Sequence, residues 1–276
     1  MLTIARLAVK EIFSKKVFYI VLAMTAVFLL GYGMVLHYLV KDLHDMGPSV
    51  EKVMMLSVLL SLAFYFSTFI VALMTIFSTV GAISGEIESG TIQAVISKPL
   101  QRTEFLLGKF LGNALMMLGY SALLFFGVTG ISRVITGYQL AGVWHAFMLF
   151  ELIPLVLLAV SFWGSSFLST LANGITLCML FIIGAVGGMV EQIGSILEKG
   201  SLMNIGIVTS LLMPADALYR KMIFSLLTGP THPLDIFSFN PFACRYPPSN
   251  MMVIYTIIYG IFFLVAAVRM FSQRDI

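Results

Sequence analysis

The polar side chains that could recognise another molecule are concentrated in one short segment, residues 84–104, between two strongly apolar runs. Carboxylates and cations grouped in this way can form charge-assisted hydrogen bonds and ion pairs with a partner. We interpret this segment, called the polar island below, as a surface that docks a second molecule. Its charged residues, which Lys109 closely follows, are Glu86, Glu88, Lys98, Arg102 and Glu104.

No motif in the sequence supports catalysis or metal binding by the chain itself. A phosphate-binding loop needs Gly-x-x-x-x-Gly-Lys followed by Ser or Thr, because the glycine amides surround the phosphate. Gly108-Lys109 resembles the end of this motif, but Thr103 stands at its first glycine and Phe110 replaces the hydroxyl. The four histidines are scattered, and the 18 methionines are distributed as apolar filler would be, although thioethers suit Cu(I). We expect no enzyme site, cofactor or metal in this chain.

Glu151 is a carboxylate placed several residues inside an apolar run, close to Pro154. A charge at that depth in a bilayer is costly, and ionisable residues inside membranes mark polar pathways or ion pairs. Two interpretations remain open. Glu151 lines a polar pathway or pairs with a residue such as Arg133, or it lies close enough to the membrane interface to reach water.

The composition indicates which solvent surrounds these residues. The 276-residue chain is 59% hydrophobic and 11% charged, and its mean hydropathy is +1.01. Soluble domains have about 25% charged residues, so this is an integral membrane protein. The net charge of +3 reflects Lys and Arg beside the apolar runs and does not indicate a nucleic-acid surface. Two cysteines, one of them in an apolar run, do not make a disulfide framework.

The apolar runs predict an all-α, polytopic membrane protein with a single transmembrane domain covering residues 1–276. Crossing a hydrocarbon core of about 30 Å takes roughly 20 residues of helix. Six runs reach or approach this length, and the first lacks a cleavage site of the signal-peptide type. The predicted spans are 18–40, 53–83, 105–131, 144–168, 173–190 and 251–270.

The connection over residues 191–250 is long and only partly polar. Its apolar piece, 202–213, is too short to span and is interpreted as interfacial or re-entrant. Pro214 then opens a predicted short helix with Asp216 near its start and Arg220 later, as the helix dipole prefers. We expect this connection to cap the helices on the external side.

The distribution of Lys and Arg predicts that both termini and the polar island are cytoplasmic, because basic residues favour that side. Residues 1–17 precede the first span, and apolar residues recur there at helical spacing opposite a basic face. This pattern predicts an amphipathic helix lying in the membrane interface. The alternative is a simple extension of the first span into the cytoplasm.

Pairs of glycines four residues apart occur in two predicted spans. Gly184 and Gly188 lie in the fifth span, and Gly108 and Gly112 open the third. Small residues at this spacing let helix backbones approach closely. We interpret them as internal packing positions, with a subunit interface as the alternative.

An ordered set of motifs runs through the polar island into the third span: Glu86, Gly90-Thr91, Ser97-Lys98-Pro99, Arg102-Thr103-Glu104 and Leu107-Gly108-Lys109. This order resembles that of permease subunits of type 2 ABC exporters. In that family an acidic residue, Gly-Thr, a turn containing proline and Leu-Gly-Lys occur in this order between the second and third spans. One departure is that Glu88 follows Glu86 at two residues, where many relatives place a basic residue. The stretch from Pro214 to Arg220 looks most like the subgroup associated with copper-enzyme maturation.

The resemblance implies that the polar island contains a coupling helix that docks on a separate ATPase subunit, which binds ATP and Mg²⁺. It also implies ATP-driven export through the plasma membrane by a pair of permeases, identical or different. The coupling residues would be Glu86, Glu88, Gly90, Thr91, Lys98, Pro99 and Arg102.

The residues of the polar island support a docking role independently of this resemblance. Gly85 and Gly90 permit sharp turns, apolar residues such as Ile87 can bury a small face, and Pro99 ends a helix. A different class stays open, namely an ATP-independent membrane transporter or a membrane-anchored assembly protein whose loop binds another protein. Internal repeats and broken helices with midplane charges, typical of secondary transporters, are not evident.

Overall fold

The structure, a computed structural model, describes residues 1–42, 50–90, 102–137, 140–227 and 247–273. Within these ranges all regular secondary structure is helical, which confirms the predicted all-α class. The helices are α1 Leu2–Ser14, α2 Lys16–Asp42, α3 Val50–Thr79, α4 Ser84–Glu88, α5 Arg102–Thr136, α6 Val143–Ser165, α7 Thr170–Ile196, α8 Gly200–Leu212, α9 Ala215–Leu227 and α10 Asn250–Gln273.

Six of the helical stretches are long and apolar enough to cross a membrane, as the sequence predicted. They are α2, α3 continued through α4, α5, α6, α7 and α10. The helices extend beyond the predicted spans at most ends because polar residues outside the hydrocarbon core continue the helix. At the start of α7, for example, the Ser169 hydroxyl accepts a hydrogen bond of 3.4 Å from the Ala172 amide and caps the helix.

Helix α6 forms the centre of the bundle, with α3, α5, α9 and α10 packed around it. Of the most apolar 18-residue segment of α6, 72% is buried inside the bundle. The corresponding share for α10 is 11%, so most of α10 faces outward. Phe64 of α3, Phe125 of α5 and Phe150 of α6 meet in the core, with ring centroids 5.3 to 6.2 Å apart. These contacts fix the mutual positions of the three helices, since aromatic pairs contribute about 0.5–1.5 kcal/mol beyond burial.

The N-terminal helix α1 is separate from the first span, so the alternative of a simple extension is wrong. Lys15 has an extended backbone, with φ −76° and ψ 125°, that breaks the chain between α1 and α2. Ala8 and Ile12 are buried, whereas Leu2 and Leu7 stay exposed. Exposed apolar residues on α1 suit insertion into a membrane interface, which stays a prediction.

Two glycines of α5 allow α1 to pack closely against it. A Cβ at Gly108 would lie 2.9 Å from the Ile4 Cβ, and one at Gly112 would collide with the Ala5 carbonyl. The absence of side chains at these positions therefore lets the two backbones meet. The interpretation of this glycine pair as an internal packing motif is confirmed.

Helices α8 and α9 form a bent pair, with 106° between their axes, that returns onto α7. Gly184 of α7 faces the Met213 carbonyl, and Gly188 faces the Asp216 carboxylate. The bend fits the predicted re-entrant or interfacial character of residues 202–213. The pair does more than cap the bundle, because the Tyr219 hydroxyl of α9 donates to the Ser61 carbonyl in α3 over 2.8 Å.

Helix α1 and the last turn of α10 lie at the same end of the bundle. Phe105 at the start of α5 stacks on Phe271 near the end of α10, with ring centroids 6.2 Å apart. Helices α1 and α4 also pack there, against the first turns of α5. This end, called the α4 end below, therefore brings together the N-terminal helix, the polar island and the last turn of α10.

Candidate functional site at the α4 end

The polar island begins at a break between α3 and α4. Helix α3 ends at Thr79, a turn follows, and α4 covers only Ser84–Glu88. Gly90 adopts a positive φ of 71°, a conformation that favours glycine, immediately after α4. Breaking a helix inside a bundle leaves backbone carbonyls without intrahelical partners, so the residues that satisfy them define this site.

Side chains from three other helices and from the link between α1 and α2 satisfy the carbonyls of the break. Lys15, in that link, donates to the Ser78 carbonyl over 3.1 Å, and Lys109 donates to the Ala82 carbonyl over 2.7 Å. The Val80 carbonyl accepts from Ser165 at 2.9 Å and from Asn173 at 3.3 Å. The break is thus held from the α1–α2 link, α5, α6 and α7 by polar contacts rather than by apolar packing alone.

Lys109 is the hub of these contacts. Its buried ammonium lies 2.5 Å from Glu86 Oε1, 3.4 Å from Glu11 Oε2 and within hydrogen-bonding distance of the Ala82 carbonyl. An ammonium has three donors, and here each has an acceptor from a different segment. Phe105, one turn earlier, lies below the charge with its ring centroid 5.6 Å from Nζ. Lys109 therefore links α1, the α3–α4 turn, α4 and α5.

Glu88 joins α4 to the N-terminus of α7. Its carboxylate accepts hydrogen bonds from the Thr170 backbone amide at 2.8 Å and from the Thr170 hydroxyl at 3.0 Å. The Ser84 hydroxyl lies 2.9 Å from the same threonine hydroxyl. A carboxylate at this position is stabilised by the unpaired amides and the dipole at the start of a helix.

Behind α4 lies a buried polar cluster that the sequence did not reveal. Asn173 donates to the Ser161 carbonyl at 3.0 Å and to the Ser165 hydroxyl at 2.8 Å. The Thr79 hydroxyl donates to the Ser161 hydroxyl at 3.0 Å. The amide of Asn173 occupies the space next to Gly164. This cluster connects the end of α3 with α6 and α7, so the three helices share polar contacts directly beneath the break.

The structure gives the predicted coupling residues different positions. Glu86 and Glu88 make contacts within the chain, Gly90 ends the segment after α4, and Arg102 is the first residue of α5. Thr91, Lys98 and Pro99 lie outside the described residues. Contacts of these residues with a partner stay a prediction. The sequence gave Lys109 a place in the Leu107-Gly108-Lys109 motif but no predicted contact, although its position one turn beyond Phe105 in an apolar helix indicates burial.

Glu151 lies inside the bundle, with 8% of its surface exposed, rather than at an edge where its carboxylate reaches water. Its Oε2 lies 2.7 Å from the Ser121 hydroxyl, and its Oε1 has no hydrogen-bond partner among the described residues. The same hydroxyl also lies 2.8 Å from the Met117 carbonyl, although it has a single proton to donate. In the described part of the chain no ion pair forms between Glu151 and Arg133.

A second buried charge cluster fixes the bent pair to α7. Arg220 is 2% exposed and lies 2.8 Å from carboxylate oxygens of both Asp216 and Glu191. The Ser210 hydroxyl lies 3.2 Å from the guanidinium. Sequence spacing suggested only a dipole preference for Asp216 and Arg220, whereas the third partner comes from the end of α7. Among the described residues no group of three His, Cys, Asp or Glu could hold a metal ion.

Comparison with known proteins identifies the family to which this chain belongs. The sequence model described as "ABC-2 family transporter protein" matches residues 2–276. The chain belongs to the ABC-2 transporter family. One relative is a probable ABC transporter permease protein, NosY, of Stutzerimonas stutzeri, which is 28% identical over 180 residues. That match covers 62% of this chain and 65% of NosY, so it spans just under two thirds of the relative's length. The family resemblance seen in the polar island is confirmed, and the finer assignment to the copper-enzyme-maturation subgroup stays a prediction.

Proposed function

We propose that this chain is the permease subunit of an ATP-driven exporter. The conformational change that ATP hydrolysis drives in the ATPase would reach this chain at the α4 end. The observation that carries the proposal is the break between α3 and α4, which polar side chains from the α1–α2 link, α5, α6 and α7 hold in place. Membership of the ABC-2 family and the similarity to NosY, a probable ABC transporter permease protein, support the same role.

The partner in this proposal is a separate ATPase subunit that binds ATP and Mg²⁺, while this chain hydrolyses nothing. Residues 84–104 form the docking surface, with Glu86, Glu88, Gly90, Thr91, Lys98, Pro99 and Arg102 as its coupling residues. The chain works as one of two permeases, identical or different, in the plasma membrane. Both termini and the α4 end are cytoplasmic, and residues 191–250 are external.

Movement of α4 would be transmitted by identified contacts. The Lys109–Glu86 ion pair of 2.5 Å passes a displacement of α4 to α5 and, through Glu11, to α1. The bidentate contact of Glu88 with Thr170 passes it to α7. Coupling of this kind needs a contiguous physical network that can exist in two arrangements. Polar contacts suit that need because they can exchange partners without emptying the apolar core.

Glu151 is proposed as a polar point on the transport pathway or at its wall. The supporting observation is a carboxylate oxygen that is buried between α5 and α6 without a hydrogen-bond partner among the described residues. Buried polar groups are normally satisfied, so an acceptor in this state is suited to a partner that arrives during transport.

The decisive experiment is co-purification of this chain with its ATPase subunit, compared across variants. Glu86→Arg and deletion of Gly90-Thr91 are expected to weaken the complex about tenfold or more, as charge reversal at an interface does. Lys41→Gln, an exposed position at the end of α2 opposite α4, serves as the control that leaves binding unchanged.

Folding of each variant is checked by its thermal unfolding, since Glu86 also contacts Lys109. Full ATPase binding by both altered chains would refute docking at the polar island. Transport by the reconstituted chain alone, without the ATPase and ATP, would favour the ATP-independent alternative.

A further inference from the structure

Three cavities adjoin one another at the end of the bundle opposite α4. The first, of about 610 Å³, lies between the last turns of α5 and the first turn of α6, where Arg133, Trp144 and His145 line it. The second, of about 720 Å³, runs between α2 and α5 and shares Gly130 with the first. The third, of about 630 Å³, shares Gly142 and His145 with the first. Because they share lining residues, the cavities adjoin around the end of α5, and we refer to them together as the groove.

The first cavity has positive character. Arg133 is exposed there and forms no ion pair within the described residues. His145 adds ring nitrogens next to it, and no Asp or Glu occurs among the residues that line any of the three cavities in the described part of the chain. A guanidinium without a carboxylate partner presents a planar set of donors that fits a phosphate group.

Aromatic rings form one wall of this cavity. The centroid of Trp144 lies 6.1 Å from that of Phe126 and 6.3 Å from that of Phe147. Trp144 itself is 71% exposed at the first turn of α6. Tryptophan is enriched where membrane spans meet the headgroup region, so the wall places Arg133 at the depth of lipid headgroups.

The second cavity adjoins the first and is an apolar groove on the outer surface of the bundle, between α2 and α5. Leu30 and Met34 of α2 face Val134 of α5 across it, and all three side chains are largely exposed. Gly130 joins the two cavities, and a Cβ at this position would meet nothing within 4 Å. A ligand can therefore place a charged head beside Arg133 and an apolar tail along α2 without displacing any residue.

We propose that this groove binds an anionic phospholipid, with the headgroup phosphate on Arg133 and an acyl chain along the α2–α5 groove. The positive head cavity, the aromatic wall and the continuous apolar groove together match this amphipathic ligand. A soluble anion would leave the groove unused, and a zwitterionic lipid would bring a cation next to Arg133. Binding of this lipid is independent of the proposed export function.

The test measures lipids bound to the full-length chain by native mass spectrometry. The protein is purified in detergent micelles that contain equal amounts of phosphatidylglycerol and phosphatidylcholine. The wild-type chain is expected to retain phosphatidylglycerol preferentially, and Arg133→Gln should reduce this retention about tenfold. Arg269→Gln at the α4 end is the matched control and should keep the preference.

Two further arms separate the lipid from other ligands. Gly130→Ile should lower phosphatidylglycerol retention by filling the junction of the cavities, where a Cβ meets nothing within 4 Å, and its thermal unfolding checks that the variant folds. Excess glycerol phosphate, a headgroup without tails, should not displace the lipid. Equal retention of both lipids by the wild type, unchanged retention by Arg133→Gln or Gly130→Ile, or displacement by glycerol phosphate would each overturn the proposal.

Discussion

Replacement of Lys109 by methionine is expected to loosen α4 from α5 while leaving the space of the lysine chain filled. Methionine has a similar length and retains the apolar contact with Phe105, but it cannot donate a hydrogen bond. The Ala82 carbonyl, Glu86 and Glu11 all lose the ammonium that now lies within 3.4 Å of each of them. The variant therefore tests the hub without creating a cavity.

The expected loss in the free energy of unfolding depends on how far water can replace the lost hydrogen-bond donor. Ala82 is buried, so its unsatisfied carbonyl is expected to cost about 1–3 kcal/mol. The side chains of Glu86 and Glu11 are 25% and 43% exposed, so water compensates most of their loss and they add about 1 kcal/mol. A total of about 2–4 kcal/mol corresponds to a decrease in Tm of about 5–10 °C in a chain of this length.

The assay is thermal unfolding of the purified chain in detergent, with a double-mutant cycle that adds Glu86→Gln. The two single changes should depart from additivity by up to about 1 kcal/mol, because Glu86→Gln removes the charge that Lys109→Met leaves unpaired, while the Ala82 carbonyl stays without its donor. Lys10→Met on the exposed face of α1 is the matched control. The reasoning is refuted if Lys109→Met melts like that control, or if the two single effects add within about 0.5 kcal/mol.

Three further variants probe the other contacts. Glu88→Gln should raise amide hydrogen exchange in the first turn of α7 about fivefold, because the helix loses a carboxylate cap; unchanged exchange would contradict the cap. Arg220→Met should lower the free energy of unfolding by about 3–5 kcal/mol, since two carboxylates lose their cation; a wild-type Tm would count against a structural ion cluster. Gly112→Leu should displace α1, because the new Cβ meets the Ala5 carbonyl, and should make α1 more accessible to protease. At Gly119 a Cβ enters open space, so Gly119→Leu should leave α1 protected. Equal cleavage of both variants would disprove the packing of α1 on Gly112.

The sequence by itself determined the membrane architecture. Six spans, the position of the polar island and the separate character of the short apolar piece after α7 follow from local apolar length. Local length is enough because a bilayer requires each spanning helix to satisfy its own backbone over about 20 residues. The sequence also predicted Gly108 and Gly112 as close-packing positions, since small residues four apart on a helix let backbones approach, but that α1 is the helix packed there came from the structure.

Only the tertiary structure decided which polar residues act together. Lys109 reaches Glu86 and Glu11 across 23 and 98 positions of sequence, and Arg220 reaches Glu191 across 29. Spacing along one helix predicts neighbours three or four residues apart, but it carries no information on which helices pack side by side. Glu86 and Glu88 were accordingly predicted as contacts for a partner, whereas in the structure they bind Lys109 and Thr170 and stabilise α4 after the helix break. The physical reason is that a carbonyl released by a helix break must find a donor, and the nearest donors are supplied by packing.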